Sequence, residues 1–310
     1  SVNLDTKKLT QLTFHSAPMS GEVVCEKNKT VFFQVKDSVF ALDFVTKKER
    51  LVFIYPEDFK SGISTVNANG TLLAGSYATP AEKEILKNNP NKSSYFNLIY
   101  DAHLPKTLFT IDVKTGKLDK IFTDSAWLNH LQFSTTDPNL LSFCHEGPWH
   151  KVNRIWTIDV KTKKITQIHQ RIMDMEIAGH EWPSADGQII WYDLQQPRST
   201  TFFIEGHHLA TGEKTKYELQ RDEWSIHFNS TKDNKLFCGD GGDAGQLRDH
   251  IAIPHLHGER RIAERRRCEW SERDNLRRFS DRERLRNVSR RVIVRRTGLM
   301  RGNRCTAGSG

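Results

Sequence analysis

The chain has 310 residues, 37% of them hydrophobic and 27% charged, and a formal net charge of +8. That is ample chain for a buried core, and no apolar run reaches the roughly 18 residues of a membrane span, so no span and no membrane partner are expected. The charge is uneven: residues 1–247 carry 23 Lys and 5 Arg against 30 acidic residues, whereas residues 248–310 carry 18 Arg, no Lys and 8 acidic residues.

In chain order, five cassettes recur: VNLDTKKLTQLT from Val2, FALDFVTKKERL from Phe40, FTIDVKTGKLDKI from Phe109, WTIDVKTKKITQI from Trp156 and GHHLATGEKTKYEL from Gly206. Each is an apolar run, an Asp or His, a Thr-Gly or Thr-Lys turn and a second alternating run, which is the pattern of a β-hairpin. The anchors Asp5, Asp43, Asp112, Asp159 and His208 are separated by 38, 69, 47 and 49 residues. Three of these intervals fall near the blade repeat of propellers. Between the cassettes, KNKTVFFQV, ANGTLLAGSY, DPNLLSFCHE, ADGQIIWYD and KDNKLFCGD each set an Asx-type turn before a short apolar strand. Two hairpins per period make a four-stranded sheet, and such sheets packed radially give an all-β fold, the β-propeller, with only short protected edges.

The long interval holds an insertion rich in Asn, Lys and Pro at residues 79–105, with a helical period only over residues 80–88. Ser1 begins inside a cassette, so the chain is expected to start within a blade. Residues 1–247 are read as propeller blades and residues 248–310 as an Arg-rich tail without hairpin signals, caps or apolar period. The abrupt switch to Arg-only usage points to a shifted reading frame, an artefactual tail or a degenerate end. The other reading is a basic arm that binds a polyanion, with a steep salt dependence. Nucleic acid is not expected as a partner. The five cysteines show no metal or redox spacing, and a cytoplasmic protein is expected.

Four histidine-bearing segments fall within this frame: WLNHLQF, FCHEGPWHKVNRIW, MDMEIAGHEW and EWSIHFN. A radial repeat brings the blade-end loops to one point, so these polar groups are candidates for a common site. Alternation in HLQF puts His130 and Gln132 on one face and Leu131 and Phe133 on the other. In the second segment the strand ends at His145, Gly147-Pro148 breaks it, and Arg154 opens the next strand. Arg154 either grips a carboxylate with two parallel hydrogen bonds or sits in a surface ion pair. His180 is either a satisfied structural residue or a proton acceptor poised near neutrality. His227 suits a transition metal, which would need at least two more protein ligands from other loops at the same end.

Taken together, FSTTDPNLLSFCHEGPWHKVNRIWTI, MDMEIAGHEW, IIWYDLQQPR and EWSIHFN followed by LFCGDGGD resemble the oligogalacturonate lyases, cytoplasmic seven-bladed propellers that finish pectin breakdown. The resemblance runs through most of residues 1–247 and is strongest over residues 127–243. It implies β-elimination on short galacturonate oligomers, releasing a keto-uronate monosaccharide and a shortened chain. It also implies a divalent metal, usually manganese (Mn2+), on the substrate carboxylate. Carried over by motif, His180 would be the base, Arg154 would assist and His227 would be one metal ligand. His130, His145 and Arg198 are expected to bind the oligogalacturonide. The family's remaining ligands come from a late blade, and no matching segment follows residue 247. The metal set is therefore expected to be incomplete, which would leave this chain inactive. The alternative is a non-catalytic TolB-like propeller that binds a peptide or glycan. A lyase requires His180, Arg154 and His227 to converge, and a scaffold lets them scatter.

Overall fold

The computed structural model describes residues 1–221 and 223–240. The Arg-rich segment 248–310, and with it both readings of that tail, lies outside the described residues. Among the described residues, four four-stranded antiparallel sheets follow one another along the chain. The first contains β1 (Met19–Cys25), β2 (Thr30–Val35), β3 (Ser38–Asp43) and β4 (Glu49–Ile54). The second contains β5 (Thr65–Val66), β6 (Leu72–Ala78), β7 (Lys106–Asp112) and β8 (Leu118–Asp124). The third contains β9 (Trp127–Phe133), β10 (Leu140–Glu146), β11 (Ile155–Asp159) and β12 (Ile165–Gln167). The fourth contains β13 (Ile177–Pro183), β14 (Ile189–Gln195), β15 (Phe202–His208) and β16 (Lys214–Leu219). A two-stranded piece, β17 (Phe228–Ser230) with β18 (Phe237–Gly239), comes next.

Within each blade the strands are hydrogen-bonded in sequence order. The first strands of the first three blades touch one another, β1 against β5 and β5 against β9, so they form the inner edge of a β-propeller. The cores lie between consecutive blades. Phe32 and Val39 pack with Leu73, Phe109 and Ile111. Leu108 packs with Leu128, Leu141 and Phe143. Ile155 packs with Ala178, Ile190 and Leu194, and Trp182 and Trp191 pack with Phe228 and Phe237. Burying each such side chain stabilises the fold by roughly 1.5–3 kcal/mol, so a blade's inward apolar alternation is satisfied only when its neighbour is present.

The cassettes form the outer hairpins. Asp43 Oδ1 accepts the backbone N–H groups of Val45 (2.8 Å) and Thr46 (2.9 Å). Asp112 and Asp159 repeat the arrangement with Thr115 and Thr162, each at 2.7 Å. Four residues after the anchor the chain turns left-handed, at Lys47, Gly116, Lys163 and Gly212. Glycine meets that demand without a Cβ clash, and lysine bears the cost. The first cassette departs from expectation in two ways. It forms only an isolated bridge, Val2 to Leu9, and its anchor is Asn3, whose Oδ1 accepts from Asp5 (3.1 Å) and Thr6 (2.8 Å). Lys7, four residues after Asn3, is the left-handed residue there.

Between β6 and β7 the chain forms two helices, α1 (Pro80–Asn88) and α2 (Lys92–Ala102). Thr79 caps α1 by accepting from Glu82 N, and Pro80 supplies the first turn. Buried Glu82 pairs with Lys106 at 2.6 Å, which ties the helix to β7. Helix α2 lies beyond the helical period that the sequence shows over residues 80–88. It packs Phe96 edge-on to Trp127, with ring centroids 5.3 Å apart, and lays Tyr100 against Gly147, where a Cβ would collide with the phenol ring. Among the described residues no helix is long and apolar enough to cross a membrane.

Candidate active site

Three inner strands each contain one extra residue: β1, whose pairing steps from Ser20–Gln34 to Val23–Phe32, and the two histidine-bearing strands β9 and β13. In β9 the pairing steps from Ser142–Gln132 to Cys144–Asn129, and in β13 from Ala178–Leu194 to Glu181–Tyr192. In these two strands the extra residues fall at His130–Leu131 and at Gly179–His180. A bulge breaks the period of two and re-aims the side chains beside it. His130 takes a left-handed φ of 51° to do so. In β13 the space is kept by glycine: a Cβ at Gly179 would collide with the Asp193 carboxylate, whose Oδ1 accepts the His180 backbone N–H at 2.7 Å. A Gly179→Ala protein is expected to lose about 1–3 kcal/mol of stability to overpacking, read as a lower melting temperature. An unchanged melt would show that Asp193 does not fill the bulge.

The re-aimed histidines converge. The His180 ring lies 5.8 Å from that of His130 and 4.4 Å from that of His227, centroid to centroid. Trp149 stands edge-on to His180 at 5.2 Å and lies over the Arg154 guanidinium at 5.2 Å. Arg154 Nε donates to the carbonyl of Gly179, at 3.4 Å. Its Nη1 lies 3.6 Å from Glu146 and its Nη2 3.8 Å from Glu181. Glu146 also meets His130 Nε2 at 3.2 Å and accepts from Trp149 Nε1 at 2.9 Å. A single carboxylate thus holds a histidine, an indole and a guanidinium.

His227 Nδ1 meets Asp240 Oδ2 at 2.5 Å, and Asp240 also takes hydrogen bonds from the Ser225 hydroxyl and the His227 N–H. A carboxylate on one ring nitrogen fixes the imidazole and leaves the other nitrogen, Nε2, as an electron-pair donor, which is how metal-ligating histidines are held. His227 therefore fits a ligand role. Among the described residues the three-membered group with metal-ligand spacing is His130, Cys144 and Glu146, which does not include His227. Its Glu146 is already committed to Arg154 and Trp149, and its Cys144 is wholly buried, which pushes the thiol pKa well above its ordinary value.

Burial and charge set the protonation states. Burial, then the neighbouring Arg154, His227 and His130, push the His180 pKa down to about 3, so its imidazole is neutral throughout the neutral range. Its Nδ1 is buried and makes no hydrogen bond. Burial opposes ionisation of Glu146, but the His130 hydrogen bond and the charge of Arg154 outweigh it and hold the carboxyl at about 2. Burial raises Asp193 to about 7 even though it accepts from the His180 backbone, and it also raises Glu181.

Of the candidates, His180, His227, His130 and Arg154 come together. Arg154 is wholly buried, under Trp149, rather than open to a ligand, and its Nη1 and Nη2 make no hydrogen bonds. His145 and Arg198 are not drawn into the cluster. Alternation along β10 turns His145 to the opposite face from Glu146, where it stacks on Trp156 at 4.8 Å. Arg198 is exposed in the β14–β15 turn, its N–H bonded to Met175 O at 2.7 Å. Sequence reasoning missed Glu146, Trp149, Glu181, Asp193 and Asp240. Glu146 and Trp149 stand inside the quoted CHEGPW string, and strand alternation alone puts Glu146 with Cys144 on the face away from His145.

Comparison with known proteins bears on the family and the fold. Residues 1–251 match the family described as oligogalacturonate lyase. The chain is 25% identical over 247 residues to an oligogalacturonide lyase of Pectobacterium atrosepticum and 26% identical over 247 residues to an oligogalacturonate lyase of Dickeya dadantii. In each case the match covers 78% of this chain and 62% of the relative, so the chain spans under two thirds of those proteins. Two solved structures share the fold at TM-score 0.68 and 24% identity, over 78% of this chain and 64% of theirs: an oligogalacturonate lyase in complex with manganese, and an oligogalacturonate lyase from Vibrio parahaemolyticus. By the match over residues 1–251, on a propeller whose inner strands gather these histidines, the chain belongs to the oligogalacturonate lyase family.

Proposed function

We propose that this protein is an oligogalacturonate lyase that cleaves short galacturonate oligomers by β-elimination, with His180 as the base. The observation that carries the reading is the placement of a neutral imidazole, His180, between His130 and His227 and one residue from the carbonyl that holds Arg154. His180 takes the C5 proton of a galacturonate unit. The electrons of the C5–H bond form the C4–C5 double bond, and the glycosidic oxygen on C4 leaves with its bonding pair and takes a proton from water to become the departing sugar's hydroxyl.

The C5 proton is acidified only when the adjoining carboxylate can take up charge. Arg154 supplies positive potential beneath the site, and His130 and His227 line it. A divalent metal such as manganese, held through His227 Nε2, would bring Lewis acidity to that carboxylate. A base with a pKa of about 3 is weak when the site is empty. An incoming carboxylate offsets the repulsion from Arg154, and so raises the basicity of His180 when substrate is in place.

The free thiols of Cys25, Cys144 and Cys238 accord with a cytoplasmic setting. The TolB-like scaffold reading has less support, because its scatter of His180, Arg154 and His227 is not what the blades produce. The test is an assay of the full chain with digalacturonate and trigalacturonate in the presence of manganese. Absorbance from the unsaturated product is expected to rise. Its absence at saturating metal and substrate would overturn the assignment.

A further inference from the structure

We infer that helix α2 and Trp149 form a subsite for a third uronate unit of the substrate, next to the two units that flank the cleaved bond. This rests on the lyase reading for the identity of the ligand. A cavity of about 300 Å³, open to solvent, is lined by Lys92, Ser93, Phe96 and Asn97 of α2 and by Trp149. That volume is at the small end of the roughly 300–1,000 Å³ range of ligand pockets and suits one sugar ring.

The lining is what an acidic sugar requires. Phe96 and Trp149 offer apolar ring surface, Ser93 and Asn97 offer hydroxyl and amide groups, and Lys92 brings a cation with no carboxylate in the lining to oppose it. The Lys92 ammonium lies over the Phe96 ring at 5.5 Å and is in no ion pair among the described residues. Continuity with the reacting centre comes through one side chain. The Trp149 indole that walls the cavity is the indole standing edge-on to His180 at 5.2 Å. Helix α2 is held in place from below, by Phe96 on Trp127 and Tyr100 on Gly147, so the cavity wall is anchored to the same loop that carries Trp149.

A disaccharide occupies only the two units around the cleaved bond, so the subsite is felt by the trisaccharide alone. The test is calorimetric titration of the full chain with digalacturonate and trigalacturonate, alongside turnover of each. Lys92→Glu, at an exposed position, is expected to weaken trigalacturonate binding by about tenfold or more, the loss expected of one charge-assisted contact, and to leave digalacturonate within about twofold. Asn97→Ala is expected to act in the same direction, more weakly. Lys117→Glu, in the exposed β7–β8 turn, controls for a change in overall charge and is expected to leave both affinities unchanged. Equal effects of Lys92→Glu on the two oligomers, or none, would overturn the subsite while leaving the lyase reading intact. The expected selective loss without any turnover would support the subsite and overturn the lyase reading. Binding of neither oligomer would overturn both.

Discussion

His180→Ala is expected to lower kcat by roughly a hundred- to ten-thousandfold, the contribution of a positioned general base, with little change in KM. The ring makes no side-chain hydrogen bond through Nδ1, so its removal leaves no partner unpaired, and the variant is expected to fold. Retained turnover would remove His180 from the base role. The pH profile gives a second reading of the same group. Because its pKa in the free protein is held at about 3, the base form is present at every pH above roughly 4, and kcat/KM is expected to show no acid limb from His180 between pH 5 and 8. In the substrate complex the bound carboxylate raises that pKa, so the acid limb of kcat is expected at higher pH than that of kcat/KM. An acid limb of kcat/KM near 6.5 that vanishes with the imidazole would contradict the burial and charge that the structure places around the ring.

The same variant separates two opposing contributions to stability. A histidine depressed from 6.5 to about 3 contributes stability that is present above pH 6.5 and is lost as the pH falls through 3. Asp193, raised from 3.8 to about 7, contributes stability that is present below pH 3.8 and is lost as the pH rises through 7. Between about pH 4 and 6.5 the two slopes have opposite sign. Without the imidazole, the Asp193 slope stands alone, and the melting temperature of His180→Ala is expected to fall more steeply than that of the parent from pH 4 to 7.

Much of the fold is legible because a blade is a local object. The Asp-x-x-Thr turns at Asp43, Asp112 and Asp159 hold their own backbone amides, and the alternation beside them needs only a neighbouring blade. The site is less legible because it depends on one-residue irregularities. Regular alternation along WLNHLQF would not set His130 at the bulge, and nothing in AGHEW reveals that Gly179 is there to clear the Asp193 carboxylate from the adjoining strand. Arg154 shows the same limit. An Arg at the start of a strand gives no sign that three carboxylates from β10, β13 and β14 bury it, because each is placed by a different stretch of chain. Helix α2 leaves little trace in the sequence for a local reason. Asn91 makes no side-chain cap, and Leu98 is exposed while only Ile99 is buried, so the helix has no sharp start and a weak apolar face. Its position is fixed instead by tertiary contact with Trp127 and Gly147.

Arg154→Ala is expected to destabilise the protein by about 3–5 kcal/mol, the cost of stranding buried charge. Arg154 is 0% exposed, and the side chains of Glu146 and Glu181 beside it are 4% and 1% exposed. Removing the guanidinium leaves Glu146 ionised against its burial and deprives Glu181 and Asp193 of the positive charge that eases their ionisation. Those two carboxyls can escape the penalty by keeping their protons, as their raised pKa values already favour. The loss is therefore expected to be smaller at pH 5 and larger at pH 8, since a folded state that binds more protons than the unfolded one loses stability as the pH rises. Arg154→Lys keeps a charge in the pocket but not the planar fork that spans Glu146, Glu181 and the Gly179 carbonyl. It is expected to fold and to lose kcat more than KM, because the bulge presenting His180 is no longer braced from below. Melting curves at the two pH values, with kinetics of the lysine variant, decide the matter. An alanine variant that melts with the parent at pH 8 would mean that the three carboxylates are not held by this residue, and a lysine variant with unchanged kcat would mean that the base does not depend on it.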